Sequence, residues 1–121
     1  MRSTIVIDGQ VVTRAHNQVE LLKDATAHAE ILAITSASAH LGSKYLANCT
    51  LYVTLEPCTM CAGAIFWSKV GSLVYGASDL KNGFNIISPS MFHKQLNILG
   101  PIMQDECIEP VQLFFERKRK T

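Results

Sequence analysis

Excess charge of either sign is missing from this sequence: eleven Lys and Arg stand against ten Asp and Glu, a formal net charge of +1. That balance excludes a chain-wide electrostatic pull toward nucleic acid or membrane. Long hydrophobic runs are missing too. No stretch approaches the roughly 18 to 20 uncharged residues that span a bilayer, so no membrane association is expected. Met1 to Gln10 carries neither the charged nor the apolar region of a secretory signal, and a cytoplasmic protein is the expectation. Repeats, linkers and low-complexity tracts are likewise missing. What remains is 121 residues at 48% hydrophobic content, enough for the core of one domain over residues 1–121. The one local charge bias is "RKRK", Arg117 to Lys120.

Strand and helix patterns alternate along the chain. "TIVI" and "QVVTRA" flank Asp8-Gly9, a strong short hairpin signal, and predict two antiparallel strands. An apolar-periodic helix is predicted over Ala27 to Leu41, with Thr26 as N-cap and Gly42 as stop. Cys49 to Leu55 is β-branched enough for a central strand, and Pro57 ends it and starts a helix over Cys58 to Ser68. "SLVYGA" reads as a strand, Ser78 to Ser90 carries weak signals, and "NILGPIM" reads as a last, interrupted strand. Asp105 to Lys120 reads as a terminal helix whose start Pro110 delays or kinks. This order predicts an α/β fold, a central mixed sheet with helices on its faces.

The chemistry sits in two short motifs. In "LEPCTMC", Cys58 and Cys61 lie three residues apart at a helix start, where both sulfurs share a face and the positive end of the helix dipole favours thiolates. A C-x-x-C pair alone is equally a redox motif or half of a structural zinc site. The second motif is "HAE", His28 to Glu30. Two residues two positions apart are separated by roughly 200° inside a helix, so these converge only near its end. His28, Cys58 and Cys61 are three ligands of the types zinc prefers, with a fourth position open. Zinc lowers the pKa of bound water toward about 7, and Glu30, which need not ligate, is then the proton carrier. Spacing finds no role for His16, His40, His93, Cys49 or Cys107.

At these residues the chain resembles the zinc-dependent nucleobase deaminases of the cytidine deaminase-like superfamily, whose signature is H-x-E with P-C-x-x-C. The stretch "NCTLYVTLEPCTMCAGAIFWSKVGSLVYGASDLKNG", with "AHN", "TAHAEI", "DEC" and "FFERKRK" in order, resembles the bacterial tRNA-specific adenosine deaminases in particular, over nearly the whole chain. The resemblance implies a three-layer α/β/α fold with a central mixed five-stranded sheet. It implies one Zn2+ per subunit, a homodimer, a tRNA anticodon loop as partner, and hydrolytic deamination of the wobble adenosine to inosine with release of ammonia.

Site roles follow from the same resemblance. Glu30 is catalytic, and His28, Cys58 and Cys61 hold the metal. Asn17 hydrogen-bonds the flipped base, and the backbone N–H groups of Ala29 and Cys58 lie close to the reacting carbon. Asp79 and Lys81 approach the RNA near the target nucleotide, and Phe115 and Arg119 touch the anticodon loop. Glu56 supports the metal site by hydrogen bonds. Two features depart from the family pattern. This chain starts almost at the first strand, without the usual N-terminal amphipathic helix, which predicts an apolar sheet surface left uncovered. Pro110 and "FNIISPSMFHK" are also unusual and bear on the RNA side. Two other readings use the same zinc site: a deaminase of a free base or nucleoside of guanine or cytosine type, and a non-catalytic zinc-binding relative.

Overall fold

The computed structural model describes residues 1–87 and 96–103. The predicted terminal helix, and with it Cys107, Pro110, Phe115 and Arg119, lies outside the described residues, as does His93.

The chain opens with β1 (Arg2–Ile7) and β2 (Gln10–His16), paired antiparallel as Asp8-Gly9 predicts. Both turn residues have positive φ, 50° and 74°, the type I′ geometry whose twist matches the strands it joins. Ile5 pairs with Thr13 but Val6 with Val11, so Val12 is an extra residue that bulges β2 and packs on the core. A single turn, α1 (Val19–Leu22), follows where no element is predicted. Next come α2 (Ala29–Leu41), β3 (Cys49–Leu55), α3 (Thr59–Ser68) and β4 (Ser72–Ala77). A short α4 (Phe84–Ile87) occupies part of the weakly patterned stretch, and β5 (Asn97–Leu99) is shorter than "NILGPIM".

The five strands form one mixed sheet in the order β2-β1-β3-β4-β5, with β1 antiparallel to both neighbours and β3, β4 and β5 parallel. β3 is central, as its β-branched run predicts. Ile5, Leu51, Leu73 and Tyr75 point to one face and are buried there with Ala33, Ala37 and Ile65 of α2 and α3. Helix α2 packs on β1 and β2 through Ala29, Ala33 and Ala37, spaced four apart and fully enclosed. Their methyl-sized side chains let the helix backbone come close to the strands. Gly42, at φ 63°, ends α2 as predicted, its N–H donating to the Ser38 carbonyl.

On the other face, Arg14, Thr4, Tyr52, Val74 and Leu99 stand side by side across the sheet. Tyr52 and Leu99 are exposed, and no described helix packs over them.

Candidate active site

The site forms where the N-termini of α2 and α3 meet, at the carboxyl ends of parallel strands β3 and β4, the edge at which open α/β sheets bind ligands. The helix starts differ from expectation by one or two residues, and the difference explains the site. Thr26 is not the cap of α2: its N–H and hydroxyl both donate to the Asp24 carboxylate, at 2.8 and 2.7 Å. The Asp24 carboxylate thereby closes a tight turn at Thr26 in place of a helix start. The helix therefore begins later, with His28 at its N-cap in extended conformation (φ −72°, ψ 149°). Outside the helix, the His28 ring is released from the 100° helical stagger and faces the thiols, and Glu30 in the first turn can reach the same spot. Cys58 is likewise the N-cap of α3 rather than a residue of its first turn, and Cys61 follows inside the helix.

His28 Nδ1 lies 3.7 Å from Cys58 Sγ and 3.5 Å from Cys61 Sγ. Tetrahedral zinc with bonds of about 2.3 Å to sulfur and 2.0 to 2.1 Å to nitrogen places such atoms about 3.5 Å apart, so the donor set fits the ion. All three donor atoms lie within 4.8 Å of one another, and among the described residues no other His, Cys, Asp or Glu cluster does so. Cys58 is drawn down to about 5 by the hydrogen bond from Cys61, helped by the Met60 and Cys61 N–H groups and by His28, against the opposing effect of burial. The Cys61 thiol, hydrogen-bonded to Cys58, buried and close to Glu30, is pushed up. One sulfur is thus poised as a thiolate before any metal arrives.

Glu30 is 7% exposed and stands beside the donor set without belonging to it. Burial raises its carboxyl above the ordinary range, while its own backbone N–H and the Cys61 thiol pull the other way. A buried carboxyl raised in this way is suited to taking up a proton and giving it back.

The remaining predicted residues are distributed around this centre. Ala29 is the first residue of α2 and is buried, its N–H at the helix mouth. Asn17 is exposed at the end of β2, and the neighbouring Gln18 N–H donates to the Ala27 carbonyl, tying that segment to the residue before His28. The loop with Asp79 and Lys81 reaches the site through Gly83, which pairs with Cys58. The Asp79 carboxylate accepts the N–H groups of Lys81 and Asn82 at 3.0 and 3.1 Å, so it shapes its own loop, and the Lys81 side chain is exposed. The Glu56 carboxylate bonds this loop, not a donor residue. Gly83, Asn85 and Tyr75, which join that network, are absent from the sequence-based set: nothing local in "SDLKNGFN" marks Gly83 and Asn85 beyond a turn-forming Asn-Gly, and Tyr75 reads only as a residue of the strand "SLVYGA".

Three cysteine or histidine donors with a buried, non-ligating glutamate at helix N-termini define the nucleobase deaminase class of site. Comparison with known proteins agrees. The profile of the MafB19-like deaminase family matches residues 3–109. The tRNA-specific adenosine deaminase of Bacillus subtilis is 40% identical over 98% of this chain and 76% of its own length. That of Aquifex aeolicus is 43% identical over 95% and 79%. A solved structure from work on A-to-I editing by tRNA:A34 deaminases superposes with a TM-score of 0.81 at 39% identity, covering 89% of this chain and 82% of the other. The chain belongs to the deaminase family, in the branch of the tRNA-specific adenosine deaminases.

Proposed function

We propose that this chain is a zinc-dependent hydrolase that converts the wobble adenosine of a tRNA anticodon to inosine. The observation that carries this reading is the convergence of His28, Cys58 and Cys61 within 4.8 Å beside the buried Glu30. The relatives' names supply the substrate. One zinc per subunit would be held by His28 Nδ1 and the two sulfurs, and when bound it acidifies water so that a nucleophile is available at neutral pH.

Glu30 performs the proton transfers. It takes a proton from water as the C6–O bond forms and delivers it to the adjacent ring nitrogen of adenine. It then passes the second water-derived proton to the exocyclic amine as the C6–N bond breaks. Ammonia leaves and inosine remains. A wobble base is already unpaired, so splaying it into the site costs less than extracting it from a duplex. The Ala29 and Cys58 backbone N–H groups border the reacting carbon, Asn17 reads the base edge, and Lys81, Phe115 and Arg119 hold the loop.

A homodimer in the cytoplasm is the assembly and compartment that accompany this reading. Met60 and Trp67 lie seven residues apart on α3 and are both exposed, Trp67 by 75%, giving an apolar strip beside the site that a second copy would cover. No described helix is long and apolar enough to cross a membrane.

The test is inosine formation in an anticodon stem-loop bearing a wobble adenosine, with free adenosine, guanine and cytosine assayed in parallel on zinc-loaded protein. Inosine in the RNA alone is the expected result. Ammonia from a free base would move the substrate to the nucleobase level, and silence from folded, zinc-bound protein would leave a non-catalytic relative.

A further inference from the structure

Glu56 is 4% exposed, charged in type, and outside the donor set, a combination that calls for partners. Its backbone is fixed first. The Glu56 N–H donates to the carbonyl of Ala77, the last residue of β4, at 2.8 Å, extending the ladder one residue past the end of β3. The side chain then turns beneath the loop that leaves β4. One oxygen accepts the Asp79 N–H at 3.3 Å, and the other accepts the Asn85 N–H at 2.9 Å. A single carboxylate thus closes both ends of a seven-residue loop.

Further contacts fix the same loop from other directions. Gly83 pairs with Cys58, and Phe84 N–H donates to the Pro57 carbonyl at 3.0 Å. The Phe84 ring meets Tyr75 edge to face at 6.0 Å, and Asn85 Nδ2 donates to the Tyr75 hydroxyl at 3.2 Å. Gly83 has no room for a side chain: a Cβ there would collide with the Glu56 carboxylate and stand 2.6 Å from the Asp79 carbonyl. Leu80, Lys81 and Asn82 are exposed in the loop that Gly83 joins to Cys58.

We propose that Glu56 is a positioning residue, which holds the 79–85 loop as a preformed wall of the substrate opening so that Leu80, Lys81 and Asn82 meet single-stranded RNA without first being ordered. This rests on the RNA-deaminase reading above. Pre-ordering removes an entropic cost from binding and not from the chemical step, so its loss falls on KM. Glu56→Gln is the sharpest probe. The amide keeps one acceptor but turns an NH2 toward a backbone N–H, so one end of the loop is released with little change in shape.

The expected result for Glu56→Gln is unchanged zinc content, kcat within about threefold of wild type, and KM for the stem-loop raised about tenfold or more, the scale of one lost charge-assisted hydrogen bond. Hydrogen exchange should accelerate by a similar factor at whichever of the Asp79 and Asn85 amides faces the new NH2 group. Gly83→Ala, which displaces the carboxylate from the opposite side, should give the same split and stands in if the Gln variant fails to fold. Unmoved KM, loss of zinc, or a fall in kcat at constant KM would overturn the proposal. Exchange reads the clamp without turnover. A wild-type protein silent on RNA would sink the substrate reading, while unchanged exchange in either variant would sink the clamp.

Discussion

His28 Nδ1 lies 3.5 Å from Cys61 Sγ although 33 residues separate them in the chain. The sheet produces the contact. His28 follows β2 and Cys61 follows β3; both strands run antiparallel to β1, which lies between them, so they end at the same edge of the sheet and α2 and α3 start there together. Two helix N-termini then present unpaired N–H groups and partial positive charge to one point, which suits thiolates and a developing oxyanion.

Removal of any donor should release the metal. Cys58→Ser, Cys61→Ser and His28→Ala are each expected to lower bound zinc well below one per chain by metal analysis. At zinc about 1,000-fold above Kd the bound ion adds roughly 4 kcal/mol, so chelation should lower Tm by roughly 10 to 15 °C. Full zinc retention in Cys61→Ser would refute its role as a ligand.

Glu30→Gln should separate holding metal from moving protons. Zinc content and Tm are expected to stay near wild type while kcat falls by about 10²- to 10⁴-fold, the usual scale for a lost general acid–base. Loss of zinc instead would make Glu30 a ligand.

The sulfur pair should titrate unequally in metal-free protein. Cys58 is drawn down to about 5, so ultraviolet thiolate absorbance should show one sulfur ionised at neutral pH and lost as the solution is taken below that value. Cys58→Ser should abolish the signal. Cys61 moves the other way and should stay protonated at neutral pH.

RNA contact should show in the salt response. Lys81→Ala and Arg119→Ala are each expected to weaken stem-loop binding and to flatten the slope of log K against log salt by about 0.7, one single-strand phosphate contact apiece. A residue whose removal leaves the slope unchanged is not at the interface.

Ala33 tests the packing that places the site. It is fully enclosed where α2 meets β1 and β2, and Ala33→Leu should cost about 1 to 3 kcal/mol by denaturant unfolding, with zinc affinity weakened as α2 is pushed off the sheet.

Much of this was legible because it is local. Asp8-Gly9 specifies a type I′ turn through two residues that tolerate positive φ, and the β-branched, apolar run from Cys49 to Leu55 marks β3 as a strand whatever its neighbours. Donor identities were legible for a similar reason: few chemistries use His, Cys and Cys at helix starts with a glutamate two residues from the histidine. The helix boundaries were less so. Thr26 is an ordinary N-cap residue, and only the Asp24 carboxylate, by taking both of its donors, moves the start of α2 to His28.

The sequence by itself determined the His, Cys and Glu residues of the candidate site and the strands and helices that hold them, because residue type, spacing and backbone preference act over a few positions. Only the tertiary structure decided that the His28 ring stands outside its helix, that β2 and β3, on either side of β1, bring two helix mouths together, and that Glu56 spends its oxygens on Asp79 and Asn85. Those relationships join positions up to 50 residues apart, as in the pairing of Ser3 with Val53. They depend on sheet register and burial, which no short window of sequence contains.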